Sequence, residues 1–152
     1  MDRTPTSDDA KLILQLYEMR REPRMRDARN WFARDFRAKT LEEFQALCPQ
    51  GSDGNAFFRM FTTYWEMAAS LVNHGTIHRE LFFESNQELL FLWVRIQELL
   101  PRLREMFQNP MSLKNVETLA LAFIDWWEKR APGAYAAFAA RINQIPPSPT
   151  KS

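Results

Sequence analysis

The chain has 152 residues, 45% of them apolar and 26% charged, with a formal net charge of +1. That length suits one domain, which can bury roughly 70% of its unfolded surface without help from a metal or a disulfide. The balanced total excludes a strongly basic nucleic-acid binder and an acidic tail. The single cysteine, Cys48, excludes an internal disulfide and a zinc cage, and four glycines are too few for a phosphate-cradling loop beside several helix ends.

Leu and Ala number sixteen each, against nine Val and Ile together. Unbranched and small side chains lose little rotamer freedom in a helix, whereas β-branched ones favour pleated surfaces. The expectation is an all-α fold: a compact single-domain helical bundle of about seven to nine helices. The helical domain is placed at 8–143, between a flexible N-terminus (1–7) and a disordered Pro/Ser-rich tail (144–152).

In chain order, Ser7 or Asp8 caps a first helix, 8–21, with Leu12, Leu16 and Met19 on one face. Pro23 opens a second, 23–38, because its missing N–H would be unpaired in a first turn anyway. Thr40 and Glu43 form a capping box for 41–47. A loop, CPQGSDG, follows at 48–54, and Asn55 caps a long helix, 56–73, that stops at Gly75. Thr76 caps 77–84, Ser85 and Asn86 either cap a new helix or punctuate a continuing one, and 87–100 is helical up to Pro101, which kinks or restarts the chain. Residues 102–107 continue the helix, Ser112 caps 113–130, and a last helix covers 134–143.

Helical spacing gives the helix at 56–73 an apolar arc of about 200°, which marks it as central. The predicted core gathers Phe57, Phe61, Tyr64, Trp65, Trp93, Ile96, Phe123 and Trp127. Three aromatics fall outside their stripes: Trp31 beside Arg34, Phe91 between Arg95 and Glu98, and Trp126 at an edge. Aromatic and Arg side chains anchor interfaces, so Trp31, Arg34, Phe91 and Trp126 form the candidate partner surface.

Residues 20–39 hold eight basic and three acidic residues, while 41–100 hold three basic and eight acidic. Arg20, Arg21, Arg24, Arg26, Arg34 and Arg37 make a candidate basic patch able to neutralise phosphates. Its simpler reading is a solvated face paired with the acidic middle of this chain or of a second copy.

Chemistry-bearing patterns are sparse. His74 and His78 are four apart, but Gly75 and Thr76 between them break the helical register a metal pair needs, so His78 is read as closing the turn. Glu80, Glu84 and Glu88 read as a solvated face, and Asp125 as a surface partner of Lys129. Cys48, at a helix C-terminus, reads as a small buried hydrophobe. No catalytic residue, metal ligand or cofactor is expected, and the chain is read as not an enzyme. The opening segment lacks a long apolar stretch behind a basic flank, so no secretory signal is expected. The runs Leu89–Val94 and Leu119–Ile124 fall far short of the ~20 residues of a membrane span. The expected compartment is the cytoplasm.

The stretch NAFFRMFTTYWEMAASLVNHGTIHRELFFE (55–84), Trp93, and the ending from Trp127 through Arg130, Tyr135 and Phe138 resemble a bacterial family of small proteins of unknown function. The resemblance covers most of 25–142 and implies an all-helical domain, with no activity, ligand or site residue to carry over. The functional expectation is a non-catalytic interaction or scaffold module that self-associates. The alternatives are nucleic-acid-linked regulation through the Arg-rich 20–37 segment and carriage of a small apolar ligand between helices.

Overall fold

The computed structural model describes residues 3–149. Over them run nine helices: α1 (Ser7–Arg21), α2 (Pro23–Asp35), α3 (Leu41–Leu47), α4 (Asp53–Asn73), α5 (Arg79–Ser85), α6 (Glu88–Ile96), α7 (Leu100–Phe107), α8 (Lys114–Arg130) and α9 (Ala134–Asn143). No strand occurs among the described residues.

The wide apolar arc of α4 is matched by its position, since α2 packs on one side of it and α8 on the other. α6 lies against α8 and α9, and α1 against α2 and α5. Aromatic rings join the elements. Phe32 stacks on Phe61 at 4.2 Å and on Phe36 at 4.7 Å, Phe36 on Phe58 at 5.4 Å, and Phe44 meets Phe58 edge-on at 4.9 Å. This ladder crosses α2, α4 and α3. A second cluster, Phe83, Phe123, Trp126, Trp127 and Phe138, joins α5, α8 and α9. The Tyr64 hydroxyl donates to Leu16 O at 2.7 Å and ties α1 to α4.

Several caps lie away from their expected positions. α1 is capped by Thr6, whose hydroxyl accepts from Asp9 N while Asp9 returns to Thr6 N, rather than by Ser7 or Asp8. α4 opens at Ser52, not Asn55, so Asp53, Gly54 and Asn55 are helical rather than loop. A Cβ at Gly54 would collide with Leu47 O and touch the Trp31 ring, so the close approach of α3 to α4 needs glycine there. His78 replaces Thr76 as the cap of α5. The break before α7 falls at Gln97–Leu99, ahead of Pro101, which sits in the first turn of α7 where proline is tolerated. α8 starts one residue late, after Leu113 in a left-handed conformation (φ 53°), and Ser112 is not its cap. α2 stops at Asp35 instead of 38.

The core is corrected in the same way. Phe58 and Thr62 are buried while Phe57 and Trp127 are half-buried, so the inward face of α4 is rotated toward Phe58. Arg3 to Thr6, expected as a flexible arm, are pinned by Asp9 and His78. Ile145 and Ser148 of the expected tail bond to Arg37 and Asp35. The remaining terminal residues, 1–2 and 150–152, lie outside the described residues.

Candidate functional site

Two buried charges organise the surfaces on which a site could form. The first is Arg95 on α6, 8% exposed. Its Nη1 donates to Phe36 O at 2.7 Å and Phe32 O at 3.4 Å, and its Nη2 to Ala33 O and Ile142 O at 3.1 Å each. Phe32 and Ala33 are in the last turn of α2, and Ile142 is in the last turn of α9. The last carbonyls of a helix lack intrahelical donors and carry the negative end of its dipole, so one guanidinium satisfies both ends. Arg37 completes the junction, its Nε donating to Arg34 O at 3.2 Å and its Nη2 to Ile145 O. Burial and the neighbouring Arg37 pull the Arg95 guanidinium down to about 10, which leaves it charged at neutral pH.

The second is Asp9 on α1, 1% exposed. Arg3 grips it with Nη1 at 2.6 Å and Nη2 at 2.5 Å, and the backbone N–H groups of Thr6 and His78 donate to it at 2.7 and 2.8 Å. The Arg3 guanidinium, followed by these amides, holds the Asp9 carboxyl well below the usual carboxylate range. His78 Nδ1 accepts from Leu81 N at 3.2 Å and its Nε2 meets Arg3 O at 2.7 Å, which places the ring proton on Nε2. The latch therefore joins the N-terminal segment to the turn between α4 and α5.

Each predicted site residue is placed as follows. Trp31 packs among Phe32, Phe36 and Phe57, with centroids at 5.9–6.4 Å. Phe91 is half-buried, 6.3 Å from Phe32 and 5.0 Å beneath the Arg95 guanidinium. Its sector of α6 is interior rather than polar surface, because the helical wheel scored Arg95 as solvated. Trp126 lies 5.3 Å from Phe83, with Arg130 at 4.5 Å over its ring and its buried Nε1 unpaired among the described residues. These three aromatics are thus half-covered by their own chain, Trp31 and Phe91 both against Phe32 and Trp126 against Phe83, and Arg34 is exposed.

The basic patch is likewise divided. Arg20 is 8% exposed, between the rings of Tyr17 and Trp65 at 5.5 and 5.4 Å. Arg24 lies over Phe57 at 4.6 Å, 3.8 Å from Asp53. Arg21 lies over Tyr17, Arg37 is tied to carbonyls, and Arg26 and Arg34 reach solvent. Within the same segment Arg29 grips Glu88 by Nε at 2.8 Å and Nη2 at 2.7 Å, so Glu88 is a half-buried partner and not part of a solvated face.

The other carboxylates were legible only in part. Asp125 pairs with Lys129 at 2.8 Å. Glu128 accepts from Gly133 N and Tyr135 N at 3.0 and 3.2 Å and caps α9. Glu66 of α4 accepts from Asn115 N and Val116 N at 2.8 and 3.1 Å and caps α8. His74 turns its Nδ1 to Ser70 O at 2.8 Å. Among the described residues no group of three or more His, Cys, Asp and Glu side chains gathers as a metal site would.

The largest of the described clefts, about 670 Å³, lies between α3, the loop after it, the start of α4 and the end of α7. Phe44, Cys48, Pro49, Phe58 and Met106 line it, and Phe107, 49% exposed, stands at its edge. Burial pushes the Cys48 thiol up to about 11, which suppresses the thiolate. A second cleft, of about 510 Å³, lies between the segment after α2, the end of α6 and α9.

A continuous all-α core, with its charges spent on helix ends and its clefts open at the surface, defines the class: a small all-helical domain. The chain matches the model of a domain of unknown function, DUF4760, over residues 5–143, and it belongs to that family. No curated protein and no solved structure matches it. No helix among the described residues is long and apolar enough to cross a membrane.

Proposed function

We propose that this chain is a non-catalytic interaction module that pairs with a second copy of itself. The observation that carries the reading is the exposed Phe107 beside an apolar cleft lined by Phe44, Phe58 and Met106. A projecting side chain next to a hollow on the same surface is self-complementary, because a two-fold axis places each Phe107 in the partner's cleft. A net charge of +1 offers little repulsion between copies. The reading rests on this edge rather than on Trp31, Phe91 and Trp126, whose rings are half-spent on their own core.

Sedimentation velocity over a range of micromolar concentrations tests it. The expected result is a concentration-dependent dimer that Phe107→Glu abolishes and Leu121→Glu, on α8, leaves intact. A strict monomer at every concentration, or a dimer that survives Phe107→Glu, sinks the reading.

A further inference from the structure

The cleft between the segment after α2, the end of α6 and α9 holds a charge balance that the fold does not need. Arg37, Lys39 and Arg95 line it, with Glu98 as the single carboxylate among its lining residues, so three positive charges face one negative charge. Arg95 donates to carbonyls and lies over the Phe91 ring, which satisfy its N–H groups and cover its face but bring no countercharge. Arg37 and Arg95 are close enough to repel each other, in a cleft whose protein walls screen poorly. Lys39 and Glu98 approach to 3.8 Å with side chains 68% and 66% exposed, a loose surface pair that an incoming anion displaces at little cost. Gln97 and Asn143 add amide groups to the lining, and Val94 and Ala139 add apolar wall.

We propose that this cleft is an anion site that takes the phosphate group of a small molecule. The charge matches, because three cations against one carboxylate leave a surplus of two, which suits a dianion better than a monocarboxylate. The donors also match. Lys39 lines the cleft with its Nζ in only a loose pair with Glu98, and among the described residues Arg37 Nη1 has no hydrogen-bond partner, while its Nε and Nη2 are taken by Arg34 O and Ile145 O. Arg95 contributes field rather than hydrogen bonds. A volume of about 510 Å³ exceeds a bare phosphate and leaves room for the rest of a small ester against Val94 and Ala139.

Thermal unfolding of the full chain in sodium phosphate, sodium acetate and sodium chloride at equal ionic strength tests the site, since a ligand that binds only the folded state raises the midpoint with concentration. The expected result is a saturable rise of several degrees in phosphate alone, lost in Lys39→Ala and retained in Lys129→Ala, a cation elsewhere on the surface. Equal midpoints in the three salts, an acetate effect as large as that of phosphate, or a phosphate effect that persists in Lys39→Ala each overturn it. Lys39 is exposed, so its variant folds, and calorimetric titration with phosphate checks the same loss directly. Glycerol 3-phosphate distinguishes the source. Tighter binding than inorganic phosphate assigns an ester and weaker binding the free ion, and either order upholds the site.

Discussion

Arg95 and Asp9 are both charges withdrawn from water, and they are stabilised by opposite means. Arg95 is wrapped by four carbonyl dipoles at the C-terminal ends of α2 and α9. Asp9 is held by a full countercharge, Arg3, and by N–H groups at the start of α1 and before α5. Cations at helix C-termini and anions at N-termini obey one rule, the alignment of charge with the helix dipole. The consequences differ. The Arg95 junction has no titrating partner, so it is constant across the acid and neutral range. The Asp9 latch depends on a carboxylate, so it fails in acid.

The Arg95 junction is the place where the largest effect is expected. Arg95→Met preserves much of the volume but leaves four carbonyls without their donor and unties α9 from α2. A buried acceptor left without its donor costs about 1–3 kcal/mol, and four lose theirs here. Urea unfolding at neutral pH measures it, and the loss is expected to be the same at pH 5 and pH 8. A cost below about 1 kcal/mol would show that water replaces the guanidinium, and the junction would then be a surface feature.

The Asp9 latch breaks differently. Its carboxyl is held below the ordinary value of 3.8, so near and below that value the unfolded chain binds the proton that the folded chain refuses. The stabilisation is therefore complete above the ordinary carboxyl range and drains away as pH falls through and below it. Asp9→Asn is expected to lower the thermal midpoint at pH 7 and to flatten the acid limb, so that mutant and parent curves converge at low pH. Parallel curves would mean that another carboxylate sets the acid response.

These two charges also mark how far the sequence could be read. Helix type, the Thr40 cap, the boundaries of α3 and α9 and the central place of α4 follow from spacing and local chemistry, which act over a few residues, although the Glu43 carboxylate accepts from the Thr40 hydroxyl rather than from the Thr40 N–H that a capping box requires. The predicted core failed where a helical wheel must guess what lies opposite. It placed Arg95 and Phe91 in solvent, although Arg95 reaches carbonyls 47 to 63 residues away in sequence. Nothing in the sequence around Asp9 marks it as buried, because Arg3 is near in sequence but His78 is 69 residues away. The candidate surface built on Trp31, Phe91 and Trp126 inherited the same blindness. Local counts see one helix at a time, and each of these rings is covered by another helix. The 510 Å³ cleft was legible only as an excess of Arg, since its convergence depends on α9 returning to the end of α2.

Two further carboxylate caps refine the contrast at the smallest scale. Glu128 and Gly133 are five residues apart, so that cap is local and its loss frays α9 from its start. Glu66 reaches Asn115 across 49 residues, so it ties α4 to α8 as well as capping α8. Caps of either kind contribute about 1 kcal/mol. Glu66→Ala and Glu128→Ala are thus expected to cost similar amounts in equilibrium unfolding, yet to separate by hydrogen exchange. Glu128→Ala is expected to speed exchange at the start of α9 alone. Glu66→Ala, by loosening a contact between the two longest helices, is expected to speed exchange in both α4 and α8. If exchange in Glu66→Ala rises only at Asn115 and Val116, the cap is local in effect despite its span, and the longer reach contributes nothing to the union of α4 with α8.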